Sequence, residues 1–217
     1  MQKDDDARRS ALLSAMTTEH FVLQTAISVT NAELASRASV YVFALSSALV
    51  AMGFAMDAPQ AFMPFVGTVL PAVFLLGVFT IQRMVDIAAE NQQAHIGIAR
   101  IRAYYRTLHP DAEVYFSTER GRWPDGDREP SLWAGAIIGY LTTGASMIAF
   151  INAIVAGAGV TLLTHHTLGA GIVVALLAGA IGAAIPLVLF YLYQRYRINE
   201  LVDEWEADSE GAAKGKG

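Results

Sequence analysis

The chain has 217 residues, 54% of them hydrophobic and only 16% charged, with a mean hydropathy of +0.39. Soluble domains carry about 25% charged residues, so the composition predicts a membrane protein. The formal net charge of -5 excludes a nucleic-acid binder, which displays a basic surface. The absence of cysteine excludes disulfides, thiolate metal sites and thiol catalysis.

Residues 1–37 read as a cytoplasmic N-terminal helix. Met16, His20, Leu23, Ile27, Thr30 and Leu34 recur four and three apart after a plausible cap at Thr17 or Thr18, a short helix-packing seam. The polar start with its "DDD" and the length of the apolar run that follows predict no cleavable signal peptide. A crossing of the hydrocarbon needs about 20 helical residues. Ala38–Met56 and Ala61–Ile81 both meet that length, and "DAPQ", Asp57 to Gln60, separates them as a tight turn. Residues 38–81 are therefore expected to form a first transmembrane hairpin.

Residues 82–131 are expected to be a cytoplasmic helix and loop. In the helix, Ile87, Asn91, Ala94, Ile98, Ile101, Tyr105 and Leu108 alternate four and three apart, the spacing of a heptad seam. Asn91 would occupy a core position of that seam, where an amide fixes register. Proline disfavours helix in the residue before it, so "HPD" should stop the helix. Arg102, Arg106 and His109 fall on one face with Arg100 beside them. Grouped guanidinium groups clamp phosphate, which makes these four candidates for a nucleotide or phosphorylated messenger. The competing readings are salt bridges to the acidic C-terminal "DEWEADSE" and contact with anionic lipid.

Residues 132–193 contain no Asp, Glu, Lys or Arg and far exceed one crossing, so they must fold back as a second hairpin. The turn is expected in "GVTLLTHHTLG", the one polar cluster there. Small residues let membrane helices approach. Gly135 and Gly139 form a GxxxG, Ala145, Ala149, Ala153 and Gly157 repeat every four residues, and Gly171, Ala175, Gly179 and Ala183 do the same in the fourth span. Two such stripes predict close packing. Asn152 lies on the first of them, and counted inward from a turn after Gly159 it is roughly 10 Å deep at helical rise. Thr68 of the second span sits at a similar depth, so an Asn152 to Thr68 hydrogen bond is expected, with backbone carbonyls as the fallback.

Residues 194–217 are expected to be a cytoplasmic helix with Ile198, Leu201, Val202 and Trp205 on one face, followed by a disordered tail. All fifteen Lys and Arg lie outside the two short loops at the far end of the spans. The positive-inside rule then puts both termini and the middle segment in the cytoplasm of a cell (inner) membrane protein. The fold class expected is an all-α membrane protein: four transmembrane helices as two hairpins, with cytoplasmic helical extensions forming a small bundle.

Three passages, "LQTAISVTNAELASRASVYVFALSSALVAMGFA", "PAVFLLGVFTIQRMVD" and "IARIRAYYRTLHPDAEVYF", resemble a family of four-span membrane proteins common in actinobacteria, over roughly residues 20 to 195. The resemblance implies the four-span topology and supplies no catalytic residue. In layout alone the chain is similar to four-span effectors of bacterial nucleotide-signalling defence systems.

No acid, base or nucleophile pair for catalysis lies within the spans, so a non-enzymatic role is expected. His165 and His166 are adjacent in the outer turn, and Asp125, Asp127 and Glu129 alternate in a turn. Neither set reaches the ligand number of a zinc or calcium site, and neither a metal nor another cofactor is expected. The leading function is an oligomeric membrane effector or pore-like protein driven by a cytoplasmic helical sensing region, with the lipid bilayer and further copies of itself as partners. The alternative is a membrane-anchored scaffold that recruits a cytoplasmic protein. A small transporter ranks third, because such proteins keep an ionisable group at membrane depth.

Overall fold

The structure is a computed structural model that describes the backbone of residues 2–116 and 141–214, and side chains there except at residues 2, 59, 198, 199 and 201–214. Five helices make up the described secondary structure: α1 (Gln2–Ala55), α2 (Pro59–Arg106), α3 (Ala112–Phe116), α4 (Gly144–Thr167) and α5 (Ile172–Lys214). No strand occurs among the described residues. Four of the helices, all but α3, are long and apolar enough to cross a membrane.

The boundaries follow local chemistry. α1 runs unbroken through Thr17 and Thr18, whose hydroxyls donate to the Leu13 and Ser14 carbonyls at 2.9 and 3.0 Å. Back-bonding to residue i−4 lets Ser and Thr sit inside a helix, so neither threonine is the cap expected there. After the turn at 56–58, Pro59 opens α2, a position where a missing N–H costs nothing. α2 ends at Arg106, with Thr107 N and Leu108 N donating to the Tyr104 and Tyr105 carbonyls at 3.0 and 3.2 Å. Pro110, two residues further on, forbids another turn.

α4 departs from the expected third span. It starts at Gly144, where the Thr143 hydroxyl caps it by accepting from Ser146 N at 3.2 Å. It ends at Thr167, about two turns beyond Gly159. The polar run that suggested a turn stays helical because Thr161 and Thr164 donate to the Gly157 and Val160 carbonyls at 2.9 and 2.7 Å. The reversal is instead at 168–171. There Gly169 has φ +64, a conformation that favours glycine, and Ala170 N closes onto Thr164 O at 3.3 Å. α5 continues as helix to Lys214, so most of the tail expected to be disordered is helical.

The chain divides into two compact units, Met1–Glu33 with Ile87–Gly139 and Leu34–Asp86 with Tyr140–Gly217. In the second unit, Tyr41, Val73, Ile81, Met84, Val85, Ala145, Ile148 and Ala149 form one buried cluster, and Val66, Leu70 and Val155 form another. α4 and α5 approach closely: a Cβ added to Gly157 would lie 2.8 Å from the Gly179 carbonyl oxygen and 3.0 Å from Ala183 Cβ. Rows of residues four apart are inclined to the helix axis. Ala145 and Ala149 therefore join the cluster around Tyr41, while Gly157 faces α5. On α5, Ala175 and Gly179 are buried, whereas Gly171 is exposed in the turn with open space around it and belongs to no packing stripe. Gly135 and Gly139 lie outside the described residues.

Several helix faces of this unit expose apolar side chains. Phe43 and Phe54 on α1 are 75% and 76% exposed, and Val173, Leu177, Ile181 and Leu189 on α5 are each more than half exposed. Apolar surface this extensive marks contact with lipid or another protein.

In the first unit, the side chains with the least exposure on α2 include Ile87, Ala94 and Ile101, each a position of the alternating seam. Leu23 of α1 packs beside Gly97, where an added Cβ would lie 2.9 Å from Leu23 Cδ1. Asn91 ties the two helices together: its Oδ1 accepts from the Thr30 hydroxyl, and its Nδ2 donates to Asn31 Oδ1 at 2.9 Å.

Candidate functional site

Two polar constellations stand out, one in each unit. In the second unit, Asn152 on α4 is 2% exposed. Its Oδ1 accepts from the Tyr41 hydroxyl at 3.2 Å, and its Nδ2 donates to the Phe74 carbonyl at 3.2 Å. The partner is therefore Tyr41 of α1 together with a backbone carbonyl of α2, not Thr68. Thr68 is exposed and donates to its own helix at Pro64 O and Phe65 O, 3.0 and 3.1 Å away. The mistaken depth explains the error: with α4 ending at Thr167, Asn152 lies about two turns further from the reversal than a turn after Gly159 implies.

Gly77 completes this arrangement, because a Cβ there would collide with the Asn152 amide. Both polar atoms of the amide thereby have a protein partner. The constellation joins three helices and is structural. Removing the Tyr41 hydroxyl with Tyr41→Phe should cost about 0.6–2 kcal/mol, the range of interhelical hydrogen bonds in membranes. Thermal denaturation of the full-length protein in detergent reads this, and an unchanged midpoint would show that the hydroxyl does not donate to Asn152. An ionic group lies elsewhere in this unit: Arg197 on α5 meets Asp86 on α2 at 3.3 Å and Glu200 one turn ahead at 2.7 Å.

The first unit holds an open cavity of about 620 Å³, inside the roughly 300–1,000 Å³ range of small-molecule sites. α1 contributes one helix face, with His20, Gln24, Ile27, Ser28 and Asn31. The facing wall comes from α2, with His95, Ile98, Ala99, Arg102, Tyr105 and Arg106. α3 closes one side with Tyr115 and Phe116. The Tyr105 and Phe116 rings lie 5.4 Å apart and tilted by 52°, within ordinary aromatic contact.

Among the described residues, the permanently charged side chains that line this cavity are both basic. Arg102 and Arg106 line it, and no Asp or Glu does so among the described residues. Arg106 Nη1 donates to the Phe116 carbonyl at 3.3 Å, which holds the C-terminal end of α3 and leaves four of the five guanidinium N–H groups. Arg102 makes no hydrogen bond or ion pair among the described residues. The Nδ1 atom of His20 is buried without a hydrogen-bond partner, and such an atom carries a desolvation cost until something pairs with it.

The four residues singled out in the sequence thus separate. Arg102 and Arg106 meet at the cavity, while Arg100 is exposed and does not line it. His109 lies past the end of α2, 3.4 Å from Asp111, and it too is outside the cavity. A four-and-three spacing puts His109 on the arginine face only while the helix continues, and it does not. Of the expected seam, Ile98 and Tyr105 line the cavity, whereas Ile101 is buried and Asn91 bonds to α1. His20, Tyr115 and Phe116 were missed as cavity residues. His20 was visible as the polar member of the α1 seam, but Tyr115 and Phe116 reach the site only because the chain reverses after Pro110.

No group of three or more His, Asp or Glu side chains placed to hold a metal ion occurs among the described residues. The Asp125, Asp127 and Glu129 turn lies outside them. His165 and His166 are exposed with their rings 5.1 Å apart, and His165 Nδ1 meets the Ala170 carbonyl at 2.9 Å. No protein-family model, curated protein or solved structure matches the chain.

Proposed function

We propose that this chain is a non-enzymatic integral membrane protein of the bacterial inner membrane that acts as an oligomeric, pore-like effector under the control of a cytoplasmic helical sensing region. Its four apolar helices cross as two hairpins, α1 with α2 and α4 with α5. Both termini and the segment around α3 lie in the cytoplasm, as the distribution of Lys and Arg requires.

One observation carries this reading. The two helices that wall the polar cavity, α1 and α2, each continue without a break into an apolar span. A helix that runs from a sensing part into a membrane part connects the two along the chain, and an effector needs such a connection. A passive anchor has no need of it.

The scaffold reading has its own support in Phe21, Val22 and Val29, which are 62%, 54% and 62% exposed on the cytoplasmic part of α1. A soluble partner that covers them would explain their exposure. Reconstitution in dye-loaded liposomes separates the two readings. The effector reading expects release of dye that depends on protein and rises when the cavity is occupied. Sealed liposomes throughout, with the protein verified as inserted, would overturn the effector and leave the scaffold.

A further inference from the structure

We infer that the cavity of the first unit is a binding site for a nucleotide, with its phosphates on Arg102 and Arg106 and its base against the Tyr105, Tyr115 and Phe116 rings. The inference rests on the effector reading only for its consequence, since the site lies wholly within one unit.

Three features specify the ligand. The first is charge: Arg102 and Arg106 are one turn apart on α2, with Cβ atoms about 5–6 Å from each other, and no carboxylate among the described residues lines the cavity to neutralise them. Two guanidinium groups at that spacing offer parallel N–H donors to phosphate oxygens. A purely structural pair would be expected to have carboxylates of its own, and Arg102 has none among the described residues.

The second feature is the aromatic wall. Tyr115 is 78% exposed although it lines the cavity, and Phe116 and Tyr105 flank the arginines. Aromatic faces stack on nucleobases of any sequence, whereas inorganic phosphate and the anionic lipid headgroups that an arginine pair attracts present no flat ring to stack on them. The third feature is the edge chemistry. Gln24, Ser28 and Asn31 recur along the α1 face, and they supply donors and acceptors that fix the orientation of a sugar or a base. A volume of about 620 Å³ accommodates a ligand of that size.

The test is equilibrium binding to the full-length protein in nanodiscs of neutral lipid, using ATP, GTP, cyclic AMP and cyclic GMP as probes beside inorganic pyrophosphate. At least one nucleotide should bind saturably. Arg102→Ala and Arg106→Ala should each weaken it about tenfold to a hundredfold, the loss expected for a charge-assisted hydrogen bond. Phe116→Ala should weaken the nucleotide about tenfold, through lost stacking, and leave pyrophosphate unchanged. Arg102→Lys keeps the charge, and its helix content and oligomeric state control for misfolding.

No saturable nucleotide binding up to millimolar concentration would overturn the proposal. So would nucleotide binding that all three variants retain, or pyrophosphate binding as tight as any nucleotide. A protein that binds only vesicles containing anionic lipid would reassign the arginines to headgroups and equally reject the nucleotide. Binding without dye release from liposomes would keep this site while rejecting the effector reading, so the two failures are distinguishable.

Discussion

Replacing Gly157 with alanine is expected to destabilise the full-length protein by about 2–3 kcal/mol, near the upper end of overpacking effects. Two opposing terms set the outcome. Gly→Ala inside a helix gains roughly 0.5–1 kcal/mol from backbone entropy. Against that, the new Cβ would lie 2.8 Å from the Gly179 carbonyl oxygen and 3.0 Å from Ala183 Cβ. The nearest obstacle is backbone, which no rotamer change can move, so α4 and α5 must separate along their contact. Without a hydrophobic drive between helices in lipid, dispersion at short range is what holds them, and a small separation forfeits much of it. Gly67 is an internal control, because nothing lies within 4 Å of a Cβ added there. Gly67→Ala should leave the midpoint of thermal denaturation unchanged or slightly raised. Equal behaviour of the two variants in detergent would refute the close approach of α4 and α5.

Gly77→Ala should be similarly costly for a different reason. The new methyl would occupy the place of the Asn152 amide, so the amide must rotate and give up both the Tyr41 hydroxyl and the Phe74 carbonyl. Overpacking contributes about 1–3 kcal/mol, and the lost interhelical hydrogen bonds add about 0.6–2 kcal/mol. A double-mutant cycle isolates the effect. Asn152→Ala removes the obstacle, so Gly77→Ala made in that background should cost about 1 kcal/mol or more less than it does alone. Strict additivity would mean that Gly77 and Asn152 do not touch.

These two glycines show why some contacts were legible and others were not. Gly157 stands in a row of small residues four apart, and such a row announces close packing before any partner is known. Gly77 is the only small residue between Phe74 and Val78, a single gap among large side chains. Such a gap signals a close approach, but it does not say by what. The amide that fills it comes from a residue far away in sequence, on a helix whose end was misjudged.

The misjudged end has a physical cause. Polar residues suggest a turn when their side chains need water, as in the "TLLTHHT" run. Thr161 and Thr164 instead bond to their own helix, so they cost little inside it. Among the described residues Gly169 alone takes a left-handed conformation, and the chain reverses around it. Moving the end of α4 by about two turns then changed the level at which Asn152 had to find a partner. The same kind of error removed His109 from the arginine face, since a spacing argument holds only as far as the helix does. The pairing of Arg102 with Arg106, and the seam positions of Ile87, Ala94 and Ile101, survive because α2 stays helical through Arg106.

By itself the sequence determined the helical character, the four apolar runs and the faces on which small and seam residues fall. All of these depend on hydropathy and periodicity, which act within a few turns of one helix. Only the tertiary structure decided that Tyr41 rather than Thr68 holds Asn152, that Gly77 admits it, and that α3 brings Tyr115 and Phe116 to two arginines of α2. Those are meetings between distant segments, and they turn on where each helix ends to within one or two residues. Helix ends are set by single hydrogen bonds, such as those of Thr143 and Thr107, whose energies are too small and too local for composition to register.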